Sequence, residues 1–98
     1  MKNSIVNVAI QVLPVSKTKH PYAIVDTAIE VIQKSGLTYR VCPFETVVEG
    51  PFAQVMSLIE EIHHACYADG TENMMCYVKI QSNASGTVSI GDKMDKYD

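Results

Sequence analysis

The sequence predicts an α+β domain whose elements follow the order strand, helix, strand, strand, helix, strand (βαββαβ). Two segments place apolar residues at helical spacing, and the others alternate apolar and polar side chains with the period of two that strands have. Each helical segment follows a proline and precedes a glycine. This doubled unit is the ferredoxin-like split β-α-β arrangement, a four-stranded antiparallel sheet with two helices on one face. The length of 98 residues indicates a single domain, 1–98.

The first β-α unit covers residues 4–35. Alternation over residues 4–13 predicts a strand whose apolar face consists of Val6, Val8, Ile10 and Val12. The first helix is predicted over residues 21–35, because Pro21 suits a first helical turn and Gly36 suits the left-handed conformation that ends a helix.

The second unit contains two strands before its helix. Residues 37–42 alternate, and a turn at 43–45 separates them from a β-branched run at 46–48. Helical spacing then runs from Phe52 until Gly70, and alternation over residues 74–81 predicts the last strand of the sheet. We also predict a short C-terminal strand at 87–90 and a charged tail at 91–98.

In this fold right-handed crossovers place the first and third strands at the centre of the sheet, and the helices leave one face open. The first and last strands would present to that face Asn7, Ala9, Gln11, Met75, Tyr77, Lys79 and Gln81. Mixed surfaces of this kind suit contacts between copies of a chain, so we expect a homo-oligomer.

Composition excludes two classes of partner. The chain has 8 basic and 11 acidic side chains, a formal net charge of −3 and a single arginine, Arg40. Nucleic-acid backbones attract clustered Lys and Arg, so we expect no nucleic-acid partner. The apolar runs are far shorter than the ~20 residues that cross a membrane, so we expect no membrane partner.

The N-terminus and the cysteines indicate a reducing compartment. Residues 1–7 lack the apolar block of a signal peptide. Cys42, Cys66 and Cys76 are odd in number and form no C-x-x-C pair, which argues against a disulfide framework or a zinc ribbon. We therefore expect a cytoplasmic protein with reduced thiols.

His63, His64 and Cys66 are the nearest approach to a metal site. Cys66 continues the apolar stripe of the second helix, so we interpret it as a core residue and predict no metal, catalytic residue or cofactor. Two alternatives stay open. One is a small dimeric α+β-type enzyme, a monooxygenase or isomerase, in which His63 or Cys76 would have to act. The other is a regulatory module that binds a protein through the open sheet face.

The segment 36–50 contains two short motifs. Residues 36–39 read Gly-Leu-Thr-Tyr and residues 46–50 read Thr-Val-Val-Glu-Gly, with Pro43 between them. This pattern resembles the signature of a family of small thiamine-binding proteins, the UPF0045 or MTH1187/YkoF-like group. The resemblance implies ferredoxin-like domains that pair edge to edge into homodimers and homotetramers. It also implies binding of thiamine or its hydroxymethylpyrimidine part, without catalysis.

The same resemblance nominates ligand-binding residues. Tyr39, Thr46 and Glu49 occupy the motif positions. A carboxylate at Glu49 could accept from the amino group of an aminopyrimidine, a hydroxyl at Thr46 could donate or accept, and Tyr39 could stack on a ring. Gln11 is added as a polar side chain on a central strand.

Overall fold

The computed structural model describes residues 1–97, and the last residue of the predicted tail, Asp98, lies outside them. Its elements are β1 (Ile5–Val15), α1 (Pro21–Lys34), β2 (Thr38–Val41), β3 (Thr46–Pro51), α2 (Phe52–Ala68), β4 (Asn73–Gln81) and α3 (Ile90–Met94). The strands form one antiparallel sheet in the order β2-β3-β1-β4. The predicted ferredoxin-like arrangement, with the first and third strands at the centre, is confirmed.

The hydrophobic core lies between the sheet and helices α1 and α2; we call this side of the sheet the covered face. Alternate side chains of β1 enter it, and Val6 and Val8 are fully buried there. Ile24 and Ile32 of α1 and Ile62 of α2 pack against them. Burying such side chains stabilises a fold by about 1.5–3 kcal/mol each, so this face carries most of the stability.

Glycine ends the first helix and allows close packing in β3. Gly36 follows α1 with a φ of +78°, a conformation that L side chains rarely adopt. Gly50 lies against Leu37, and a Cβ at Gly50 would come within 2.9 Å of the leucine Cδ2. The glycine of the 46–50 motif therefore lets the Leu37 side chain pack directly against β3, and a larger residue there would displace that side chain.

β1 is longer than predicted, because it continues through Pro14 to Val15. Its pairing with β3 ends at Ile10, whereas its pairing with β4 continues to Val15. Beyond Ile10 one edge of β1 has no strand beside it, and a proline is tolerated where its missing N–H faces an unpaired edge.

The C-terminal segment, residues 82–97, crosses the opposite side of the sheet, which we call the open face. The predicted strand at 87–90 is reduced to one parallel bridge between Ile5 and Thr87, and Ile90 begins α3 instead. Ser89 caps this helix, because its Oγ accepts from the Asp92 N–H at 3.0 Å. The segment therefore covers part of the face that the two long helices leave open.

Candidate functional site

A cavity of about 610 Å³ lies on the open face, between the sheet and α3. We call it the sheet cavity. It is lined by Asn7, Val8, Ala9, Arg40, Val41, Cys42, Pro43, Glu45, Val47, Lys79, Ile80, Gln81, Ile90, Lys93 and Met94. Its volume is within the range of about 300–1,000 Å³ that is usual for small-molecule sites.

The floor of the sheet cavity is one row of side chains across all four strands. The strand register aligns Arg40 with Val47, Val47 with Ala9, and Ala9 with Lys79. The two central strands therefore contribute small apolar side chains, and the two edge strands contribute long cationic ones. A flat ring can lie on Ala9 and Val47 while the cations flank it.

The next row of side chains on the open face forms hydrogen bonds to the C-terminal segment. Asn7 Nδ2 donates to the Val88 carbonyl oxygen at 2.9 Å, and Glu49 Oε1 accepts from the Ile90 N–H at 2.8 Å. Asn7 and Glu49 are register partners on β1 and β3. These two contacts position α3 over the sheet and so form one wall of the sheet cavity.

Asn7 also carries an unsatisfied acceptor. Its Oδ1 is buried and has no hydrogen-bond partner among residues 1–97. An unpaired buried polar atom costs about 1–3 kcal/mol, so a donor placed against this oxygen would be stabilising.

The hairpin turn between β2 and β3 contributes a carboxylate to the cavity wall. The Cys42 N–H donates to the Glu45 carbonyl oxygen at 2.9 Å, which closes the turn. Glu45 Oε1 in turn lies 3.2 Å from Lys79 Nζ, across the sheet. This ion pair links the hairpin to the edge strand β4 along one side of the sheet cavity.

A second cavity of about 220 Å³ lies where β1 loses its β3 neighbour; we call it the notch. Thr46 and Gln11 line it, together with side chains of α1 and the exposed Phe44 at the hairpin tip. The notch shares residues 41–43 and Glu45 with the sheet cavity, so the β2–β3 hairpin forms part of both.

The predicted ligand-binding residues do not meet at one place. Thr46 and Gln11 line the notch, and Glu49 lies beside the sheet cavity, next to Asn7. Tyr39 lines neither cavity; its pairing with Val48 places it on the covered side of the edge strand β2, away from the sheet cavity. Of the four, Glu49 is the one that contacts a wall of the larger cavity.

The residues considered for metal binding or catalysis lie elsewhere. Cys66 is fully buried as predicted, and this burial, followed by the nearby Asp69 charge, raises the pKa of its thiol. His64 is exposed on α2, and His63 Nδ1 lies 2.9 Å from the Ile59 carbonyl oxygen. Within residues 1–97 the structure contains no group of three His, Cys, Asp or Glu side chains placed to hold a metal ion.

The sequence did not predict that three cations, Arg40, Lys79 and Lys93, line the same cavity. Alternation did place Lys79 on the open face, but the register that aligns it with Arg40 depends on long-range strand pairing. The Ser89–Asp92 spacing is a recognisable helix-start signal, and it could have placed Lys93 on a helix.

The fold and the cavity define a class: a small ferredoxin-like domain with a ligand-sized cavity on its open sheet face. Residues 8–98 match the model of the thiamine-binding protein family. A UPF0045 protein of Clostridium perfringens is 31% identical over 91 residues, which cover 93% of this chain and 95% of the relative. The chain therefore belongs to the thiamine-binding protein family.

Solved structures of similar proteins share the fold. A domain of unknown function (DUF77) from Bacillus cereus is 35% identical, with a TM-score of 0.93 over 98% of this chain and 92% of the other. A candidate thiamine biosynthesis/salvage protein from Thermotoga maritima is 30% identical, with a TM-score of 0.87 over 96% and 99% of the two chains. Both similarities extend over nearly the whole domain.

Proposed function

We propose that this protein binds thiamine or its hydroxymethylpyrimidine part in the sheet cavity, without catalysis. The observation that carries the proposal is a ligand-sized cavity on the open face of a chain from the thiamine-binding family. The Thermotoga maritima neighbour, described as a candidate thiamine biosynthesis/salvage protein, supports a thiamine-related role.

The lining suits an aminopyrimidine ring. Ala9 and Val47 offer a flat apolar surface, and Asn7 and Gln81 place amide groups at its polar end. The ring's amino group can donate to the side-chain oxygen of Gln81, an exposed residue of the cavity lining. In this proposal Glu49, beside Asn7, adds a negative charge that favours a protonated ring nitrogen.

Binding without catalysis is supported by the position of the two groups that an enzyme would need. Cys76 packs against the core from the covered face, and burial raises the pKa of its thiol, which disfavours the thiolate nucleophile. His63 is on α2, on the other side of the sheet. Neither residue lines the sheet cavity.

Titration calorimetry with thiamine and with hydroxymethylpyrimidine tests the proposal, with adenosine as an unrelated probe. Ala9→Leu fills the cavity floor and should weaken binding by about tenfold or more, whereas Ala23→Leu on an exposed position of α1 should leave binding unchanged. No heat with either thiamine or hydroxymethylpyrimidine would refute the function, and equal affinity of Ala9→Leu and wild type would refute the site.

The proposed assembly is a cytoplasmic homo-oligomer. The cysteines are free thiols, as suits a reducing compartment, and within residues 1–97 no helix is long and apolar enough to cross a membrane. Leu13, Met75 and Tyr77 form an exposed apolar patch on the open face, beside the sheet cavity. Such patches are typical of surfaces that contact another chain.

Light scattering tests the assembly. Tyr77→Lys places a charge within the patch and should shift the protein towards monomer, whereas His64→Lys on the exposed side of α2 should not. A monomeric wild-type protein, or equal effects of the two changes, would contradict the assembly.

A further inference from the structure

The C-terminal segment is fixed to β1 just before α3 begins. The Ile5 N–H donates to the Gly86 carbonyl oxygen, and the Val88 N–H donates to the Ile5 carbonyl oxygen, both at 3.0 Å. The Val88 carbonyl oxygen also accepts from Asn7 Nδ2, and the Val88 side chain is buried. We call this part of the segment, residues 86–88, the anchor.

Beyond the anchor, most hydrogen bonds within residues 89–97 are internal to the segment. Ser89 caps α3, and the Asp95 N–H donates to the Gly91 carbonyl oxygen at 3.0 Å. The Ile90 N–H instead joins α3 to the sheet, because it donates to Glu49 Oε1 at 2.8 Å. We call this bond the latch. The segment is therefore held less firmly after the anchor than in it.

One face of α3 lines the sheet cavity. Ile90, Lys93 and Met94 belong to the lining, and their spacing of i, i+3 and i+4 places them on the same side of a helix. Asp92 and Asp95 are exposed. A helix of five residues is too short to be stable by itself in water, so its order depends on the latch and on the contacts of this face. A ligand in the cavity would contact this face only while α3 is in place.

We propose that α3 is a lid of the sheet cavity, which opens about Ser89 while the anchor stays in place and which controls the entry and exit of the ligand. The inference rests on the proposed function, because it takes the ligand to lie in the sheet cavity. Opening breaks the latch and leaves the core on the covered face intact, so it requires much less free energy than unfolding. Because the ligand contacts α3 in the closed form, binding shifts the lid towards closure.

Two substitutions outside the cavity lining should move the lid in opposite directions. Ser89→Ala removes the oxygen that caps α3 and should raise the open population about threefold. Gly91→Ala should lower it about threefold, because alanine favours a helix more than glycine does. The added Cβ would lie 3.4 Å from Asp95 Oδ2, an ordinary contact. Ser57→Ala, at an exposed position of α2, is the matched control.

Amide hydrogen exchange in the free protein tests the lid itself. The Asp95 N–H, which is bonded within α3, should be protected at least about tenfold less than the Val88 N–H of the anchor. Its protection should fall in Ser89→Ala and rise in Gly91→Ala, whereas the protection of Val88 should not change. Ser57→Ala should behave like wild type. Equal protection of Asp95 and Val88 would show that the anchor and α3 move as one unit, and the inference would be wrong.

The dissociation rate of hydroxymethylpyrimidine, measured from NMR line shapes, tests the role of the lid in binding. This rate should rise about threefold in Ser89→Ala and fall about threefold in Gly91→Ala, in parallel with exchange at Asp95. If the ligand binds and dissociates equally fast from all variants, the lid inference is wrong and the proposed function stands. If neither hydroxymethylpyrimidine nor thiamine binds, the proposed function is wrong, and the role of the lid in ligand exchange is wrong with it.

Discussion

The two faces of β1 differ in what their side chains contact. On the covered face, Val8 and Ile10 pack against helices and are almost inaccessible to water. On the open face, Asn7 bonds to the C-terminal segment, and Ala9 forms part of a cavity floor. One strand thus contributes an apolar core on one side and a polar, partly accessible surface on the other.

Because of this difference, folding stability depends mainly on the covered face, and the proposed binding depends on the open face. Burial of apolar side chains on the covered face supplies the main favourable contribution to folding. Side chains of the open face therefore need not be apolar. Cations and amides such as Lys79 and Gln81, which a core would exclude, are tolerated there. Substitutions on the two faces should therefore change different measured quantities, and each prediction below tests that separation.

The largest expected effect is on the covered face. Ile10→Ala should lower the free energy of unfolding by about 2–5 kcal/mol, because it leaves a cavity in a packed core. The adjacent Gln11→Ala, whose side chain points to the other face, should change it by no more than about 0.5 kcal/mol. Chemical denaturation measures both. Similar losses in the two variants would contradict the assignment of faces.

Glu49→Gln should act mainly on binding. The amide can still accept from the Ile90 N–H, so the melting temperature should change little, but the charge beside Asn7 is lost. We expect hydroxymethylpyrimidine binding to weaken by ~1.5–3 kcal/mol, about tenfold or more. Calorimetry measures this, with Glu60→Gln on α2 as the control. Unchanged affinity would mean that Glu49 serves only to hold α3.

Cys66→Ser should act on stability alone. A hydroxyl replaces a thiol at a fully buried position where Sγ lies 3.9 Å from the Ile24 carbonyl oxygen. We expect a loss of ~1–3 kcal/mol in the free energy of unfolding. Ligand affinity should be retained, as measured by calorimetry at a temperature where the variant is folded. Loss of a bound metal in elemental analysis of this variant would contradict the core assignment.

The smallest expected effect is on the melting temperature at acidic pH. Asp69 Oδ2 accepts from Thr27 Oγ1 at 2.6 Å and Oδ1 from Lys19 Nζ, and these bonds hold the pKa of the carboxyl below its usual range. Because the folded pKa is the lower one, this stabilisation is present above about pH 4 and is lost as pH falls further. Between pH 6 and pH 3 the melting temperature should fall less in Asp69→Asn than in wild type. An equal fall would show that the contact does not contribute.

Local patterns predicted most of the fold. Proline before and glycine after each long helix fixed its ends closely, and alternation on β1 and β4 assigned side chains to the correct faces. The pattern misled where the deciding contact is remote. Pro14 was predicted to end the first strand, but it lies inside β1. The proline is tolerated there because the pairing of β1 with β3 ends at Ile10, which leaves that edge of β1 unpaired. Residues 87–90 read as a strand, whereas Ser89 caps a helix.

The site was less predictable, because cavities depend on register and on remote segments. The motif residues Thr46 and Glu49 point to opposite faces of β3, since successive side chains of a strand alternate. Three residues apart in sequence, they reach different cavities. Arg40 and Lys79 are distant in sequence, and only the order β2-β3-β1-β4 aligns them.

The central claim is that the ligand binds the open face, and mapping amide chemical shifts during a thiamine titration tests it most directly. The expected result is that the largest changes lie at Ala9 and Val47, the floor of the sheet cavity, and in residues 90–94 above it. Changes confined to Tyr22 and Phe44, which line the notch, would contradict the claim and place the ligand at the end of the covered face instead.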